Sequence, residues 1–239
     1  MKNTLKTDVQ KGVLLAGMVL SLASCALPRG GVTDGFLMDS RDGQRYKTVK
    51  IGSQTWMAEN LNYKAAKSFC FENNLNACDL FGRLYTWEAA RKACPDGWHL
   101  PSKDEWNALE TFVADSLFGG KTDSVGYALK SASGWEEYEG KSGNGSDAFG
   151  FGALPAGSLF GDGTFDFVLG STFFWEASEY GANEAYSRNL IYYGTKMIPF
   201  GFYKGGALSV RCVKDDSAKP LSKVPLTKKT NRNIRRQHK

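Results

Sequence analysis

Residues 97–106 read GWHLPSKDEW: two tryptophans, one of the chain's two histidines, a proline and three charged side chains. The segment before it, YTWEAARKAC (85–94), has the alanines and long side chains of a helix, with Thr86 as its N-cap. PDG (95–97) stops that helix, because Pro95 has no donor and Gly97 tolerates positive φ. Trp98, His99 and Leu100 then form a short buried extended piece, and Pro101 leads into a second helix. Ser102 and Glu105 stand at N-cap and N3, the spacing of a capping box, and Asp104 suits the positive end of the helix dipole. Trp106, Leu109, Phe112 or Val113, and Leu117 recur at helical spacing, and FGG (118–120) ends the run. Helix starting explains the charges and core packing the tryptophans, Trp87 included. His99 is expected to be a buried, hydrogen-bonded structural residue rather than a base.

Outward from this stretch, YKTVKIGSQTWMAENL (46–61) reads as two strands around Gly52-Ser53; Tyr46, Thr48 and Lys50 alternate with Lys47, Val49 and Ile51 along the first, and its β-branched residues favour a strand. NNLNACDLFG (73–82) reads as loop. Residues 121–147 are polar and glycine-rich apart from a short helix around GYALKSA (126–132). Beyond 148 the pattern is β, in aromatic runs divided by glycine: FGFGALPAG (149–157), TFDFVLGSTFFWEAS (164–178), EAYSRNLIYY (184–193), KMIPFGFY (196–203) and ALSVRCV (207–213). Strands, two helices, a long loop region and further strands make an α+β fold, and no internal repeat is visible.

The ends differ from this body. Lys2, Lys6 and Lys11 precede an apolar run, GVLLAGMVLSLA, that is too short to span a bilayer and suits an export signal. It ends in Leu22-Ala23-Ser24-Cys25, which resembles the lipobox of bacterial lipoproteins. Acyl chains on Cys25 would each bury many methylenes at about 0.8 kcal/mol apiece, and more than one chain makes anchoring stable. Ala26, where an Asp would signal retention, favours the outer membrane by the same resemblance. The expected organisation is a signal peptide over 1–24, a tether over 25–36, a folded body over 37–215 and a disordered basic tail over 216–239. The chain's net charge is +5; with +2 in residues 1–24 and +7 in 214–239, residues 25–213 carry −4. A mildly acidic, exported body excludes nucleic acid as a partner. Cys70, Cys78, Cys94 and Cys212 are even in number and, after export, are expected to form two disulfides in one of three pairings. A zinc site is the rival, but no C-x-x-C pair occurs.

DGQRYKTVKIGSQTWMAENLNY, GRLYTWEAARKACPDGWHLPSKDEW, GFGALPAG, FFWEASEYGANEAY and GALSVRCVKD together resemble the Fibrobacter succinogenes major paralogous domain, from about Asp42 to Asp215. That family consists of secreted or lipid-anchored paralogues without an assigned activity. More distantly, TWEAARKAC, GWHLPS and the late SVRCV are similar to the C-type-lectin-like fold, which includes the formylglycine-generating enzymes. The resemblance implies two helices with a mostly antiparallel twisted sheet and a long loop region. It also implies a disulfide from the first helix to the last strand, Cys94 to Cys212, which leaves Cys70 for Cys78. Closing so long a loop stabilises by about 4.7 kcal/mol in the chain-entropy model.

Chemistry is harder to find. The copper-binding cysteine pair of the formylglycine-generating enzymes has no counterpart, and His99 and His238 are too few for a multi-histidine iron site. No G-x-S-x-G elbow occurs. GNGSD (143–147) and GDGTFD (161–166) lack the closing Glu of an EF-hand loop, and the calcium-and-sugar motifs of C-type lectins are missing. The pairs Glu136/Glu137 and Asp215/Asp216 read as solvated charge. No cofactor, metal or catalytic residue is assigned. The remaining candidates are surface tyrosines: Tyr186, Tyr192, Tyr193 and Tyr203, able to stack on sugar rings or anchor a partner. Tyr192 and Tyr193 are adjacent in an expected strand, so at least one should face water. The first expectation is a non-catalytic outer-membrane lipoprotein that binds or displays polysaccharide or an envelope protein. A structural envelope component with a basic tail, and an enzyme of unrecognised type, are the alternatives.

Overall fold

The computed structural model describes residues 34–215. Cys25, the expected signal peptide over 1–24 and the expected basic tail over 216–239 lie outside them. Three strands come first: β1 (Asp34–Met38), β2 (Arg45–Ile51) and β3 (Gln54–Met57). Then follow β4 (Ser68–Phe69), α1 (Leu75–Phe81), β5 (Leu84–Thr86), α2 (Trp87–Ala90), β6 (Trp98–His99) and α3 (Lys103–Phe118). Next are α4 (Val125–Leu129) and a small hairpin of β7 (Glu137–Tyr138) and β8 (Lys141–Ser142). The last part holds β9 (Ala156–Leu159), β10 (Phe165–Val168), β11 (Ser171–Glu179), β12 (Glu184–Ile191), β13 (Ile198–Tyr203), β14 (Ala207–Ser209) and β15 (Val213–Lys214). No helix among the described residues is long and apolar enough to cross a membrane.

Two main sheets result, ordered β1-β2-β3-β15-β6 and β13-β12-β11-β9-β14-β5-β4. β15 pairs with both β3 and β6, so the late strand closes the early sheet. Most pairings are antiparallel; β11 runs parallel to β9 and β14. The expected α+β class is therefore observed. One apolar cluster centres on Trp56, Trp106, Phe151 and Phe174, with the Trp56 and Trp106 rings 4.7 Å apart. A second gathers Tyr85, Trp87, Trp175 and Phe202. Both disulfides form, Cys70–Cys78 and Cys94–Cys212.

Several local expectations need correction. The predicted tether runs into β1, whose register with β2 starts at Asp34. Residues 75–81, expected as loop, are helical: the Asn74 side chain accepts from the Asn76 amide and caps α1. Leu75 and Leu80 stay exposed, so no amphipathic pattern announced this helix. The helix expected over 85–94 keeps one α-turn. Thr86 pairs with Ala207 in β5 and makes no side-chain cap bond, and the amides of Lys92 and Ala93 bond three residues back. That tighter winding leads into Cys94 and its bridge to Cys212. Residues 149–155 are not strand either, because Phe151 and Gly152 turn their carbonyls onto Arg211. Arg211 is fully buried and reaches Asn60 Oδ1 and Met57 O as well. Burial lowers its pKa to about 9, so it stays charged at neutral pH among neutral acceptors. In the long loop region, Lys130 Nζ donates to the carbonyls of Gly143, Ile191, Tyr192 and Gly194 and fastens that region to the end of β12.

The opening stretch folds largely as read. Gly97 takes a φ of 79°, the capping box of Ser102 and Glu105 is complete, and Leu100, Pro101 and Trp106 are buried. Trp98 and His99 are half-buried rather than buried, because β6 is the edge of its sheet. His99 bonds two carboxylates, Glu105 Oε1 at 2.7 Å and Asp215 Oδ1 at 2.5 Å. It thus ties the start of α3 to the residue after β15. The Glu105 bond chiefly, with that from Asp215, raises the His99 pKa to about 9 against some loss from burial. A raised histidine pKa lends stability that is complete below the ordinary value of 6.5 and is lost as pH rises through about 9. Wild type should therefore lose about 1 kcal/mol relative to His99→Asn between those limits, a figure reduced for the solvent screening of a half-exposed pair. Urea melts at both ends of the window check this; parallel pH profiles for the two proteins would refute the clamp.

Candidate ligand-binding groove

The outward face of α3 carries Lys103, Asn107 and Glu110, spaced four and three residues apart and so stacked on one side of the helix. Across from them, β12 presents Tyr186 and Arg188, which its period of two sends to the same face. Pro199 and Gly201 lie opposite Arg188 and Tyr186 on the edge strand β13. Tyr180, in the turn after β11, completes the wall. These residues line an open groove of ≈ 780 Å³, a size suited to a small ligand or a segment of polymer.

The aromatic side is built by contact. The Tyr180 and Tyr186 rings meet edge to face with centroids 4.9 Å apart. Tyr180 lies over Gly201, where an added Cβ would sit 2.8 Å from its ring, so that glycine is what lets the ring settle on the strand. Tyr180 remains 56% exposed. The Lys103 ammonium sits 4.5 Å from the Tyr186 centroid, a cation–π contact.

The polar side is built on Arg188, which is 1% exposed. Its Nε donates to Glu176 Oε1 at 2.6 Å, Nη2 to Asn107 Oδ1 at 2.7 Å, and Nη1 to Glu110 Oε2 at 3.3 Å. Glu176 is fully buried on β11, and its Oε2 has no hydrogen-bond partner. Burial raises the pKa of Glu176 and of Glu110, and the Arg188 charge opposes that rise in both. No group of three or more His, Cys, Asp or Glu among the described residues is arranged to hold a metal.

The four expected surface tyrosines do not form one surface. Tyr186 alone lines this groove. Tyr192 and Tyr193 follow the end of β12 in a turn instead of continuing the strand, and cluster with Tyr138 of the β7–β8 hairpin at centroid distances of 5.0–5.8 Å. Tyr193 is 58% exposed, while Tyr192 packs partly on the core. Tyr203 ends β13, exposed, its ring resting on Gly161 and Gly205. Trp87 is structural as expected: buried, its Nε1 donates to Glu176 O at 2.8 Å. Sequence reading missed Tyr180, Asn107, Glu110 and Arg188. The 103/107/110 spacing on the polar side of α3 was a visible signal; the convergence of that side on β12 was not.

Fold and groove together define a disulfide-stapled α+β module with an aromatic and polar groove. The chain belongs to the Fibrobacter succinogenes major domain family, whose model matches residues 49–214. No match was found among curated proteins or solved structures.

Proposed function

We propose that this protein is a non-catalytic lipoprotein of the outer membrane, anchored through Cys25, whose body has the C-type-lectin-like fold and binds polysaccharide in the groove between α3 and β12. The observation that carries the reading is the exposed Tyr180 ring, held against Gly201 and Tyr186 beside a polar floor fixed by Arg188. A flat, partly exposed ring next to fixed donors and acceptors suits a sugar, which has an apolar face and hydroxyl edges. The lectin-like reading is supported by the Cys94–Cys212 bridge and by the closure of the early sheet by β15. Catalysis through Glu176 is disfavoured, because it is fully buried and ion-paired and so cannot reach a glycosidic bond.

The test is retention of the full chain, purified in detergent, on insoluble cellulose, xylan and peptidoglycan, with and without calcium. We expect retention on at least one of these without calcium. It should fall about tenfold in Tyr180→Ala/Tyr186→Ala, the effect of losing roughly 1.4 kcal/mol of stacking. Tyr193→Ala should keep it. Absence of retention on every polymer would overturn the reading. Separately, Cys25→Ser should release the protein from the membrane fraction; a variant that stays bound would remove the anchor.

A further inference from the structure

Arg188 has a consequence for what the groove can recognise. A guanidinium only donates hydrogen bonds, so the Asn107 atom facing Arg188 is the carbonyl oxygen. That fixes the amide orientation and turns Nδ2 away from Arg188 as a donor. Glu110 likewise gives Oε2 to Arg188, leaving Oε1 as an acceptor. Neither Asn107 Nδ2 nor Glu110 Oε1 has a hydrogen-bond partner among the described residues. The two side chains are three residues apart on α3, hence neighbours on its surface. A donor and an acceptor side by side match adjacent sugar hydroxyls, each of which can both give and take a hydrogen bond.

Charge narrows the class further. The Arg188 guanidinium is committed to Glu176, Glu110 and Asn107 and is buried behind them. The Lys103 ammonium is engaged over Tyr186. Against these two cations stand three carboxylates, those of Glu110, Glu176 and Glu184, with Glu110 and Glu184 lining the groove itself. An acidic polymer would find one exposed cation, Lys103, against the carboxylates of Glu110 and Glu184.

We propose that the groove selects an uncharged glycan, recognised without metal by the donor–acceptor pair of Asn107 and Glu110 that Arg188 holds in place beside the Tyr180 ring. This rests on the polysaccharide-binding reading and specifies its ligand class. Arg188 is a positioning residue; Asn107 and Glu110 are the binding residues.

The experiment compares the full chain in detergent on neutral xylan and on polygalacturonate, at low and high salt, with EDTA present. Wild type should prefer the neutral polymer by at least about tenfold, and its retention should not weaken with salt, because no charge pair is formed with the ligand. Asn107→Asp, which keeps an acceptor for Arg188 and removes only the Nδ2 donor, should lose about tenfold on neutral xylan, as expected for a removed hydrogen-bond donor in a formed site. Glu110→Gln should narrow the preference by raising retention on polygalacturonate. Equal or better binding of polygalacturonate by wild type, abolished in Tyr180→Ala, would overturn the neutral-ligand inference while leaving polysaccharide binding intact. Binding to xylan indifferent to Asn107→Asp would also overturn it. Binding to neither polymer, nor to cellulose or peptidoglycan, would remove the underlying reading and the inference with it.

Discussion

Replacing Cys94 and Cys212 together with alanine should lower the unfolding free energy by about 4.7 kcal/mol, the largest single effect expected for this fold. The bridge joins residues 118 positions apart. In the chain-entropy model, breaking it frees most of the body in the unfolded state, and the cost grows with the logarithm of the closed length. The native side adds to this: Cys212 is fully buried in the second apolar cluster, directly before β15. β15 is short, and through Val213 it pairs with both Trp56 and His99. Loss of the bridge therefore loosens the strand that closes the first sheet. Cys70→Ala/Cys78→Ala is the internal comparison. Its loop spans 8 residues, and the same model gives about 2.5 kcal/mol. Urea unfolding of both double variants against wild type measures the pair. A loss below about 1 kcal/mol for the long bridge, or an equal loss for both, would refute the assignment of its stabilisation to loop closure.

The second large effect concerns the buried ion pair. Arg188→Leu should destabilise by about 4 kcal/mol at neutral pH, because it leaves Glu176 charged and unpaired in the interior. Glu176 already has one oxygen without a partner, so it has no alternative donor to turn to. Removing both charges, in Arg188→Leu/Glu176→Leu, should recover most of that loss, since the desolvation of both ions disappears with their attraction. Glu176 has its pKa raised by burial even with Arg188 present. Without Arg188 its folded pKa rises further above the unfolded value. The stability associated with that group is then present at low pH and lost as pH rises through the folded pKa, so the deficit of Arg188→Leu should shrink on acidification. Urea melts of the four proteins of the cycle, at neutral and acid pH, give the coupling energy. A single variant no less stable than the double one would show that the pair contributes no interaction to protect.

The sequence was informative wherever a local rule had a local cause. The capping box at Ser102 and Glu105, the stop at Pro95-Gly97 and the spacing of Trp106, Leu109 and Val113 are each properties of a few adjacent residues, and the structure reproduces them. The errors fall where distant partners take over. Residues 149–155 look like strand but give carbonyls to Arg211, some sixty residues on. α1 is helical with two exposed leucines and is pinned by a disulfide to Cys70. His99 was expected inside, yet lies at a sheet edge between two carboxylates.

The candidate groove divides in the same way. The 103/107/110 row on α3, the Tyr186–Arg188 alternation on β12 and the number of cysteines are contained in the order of residues, because helix and strand periods are local geometry. That these two rows face each other, that Tyr180 settles on Gly201, and that Arg188 is buried between Glu176, Glu110 and Asn107 were decided only in the tertiary structure. A hydrogen bond between residues eighty positions apart depends on how sheet and helix pack, and packing is set by the whole core, with no trace in either segment alone.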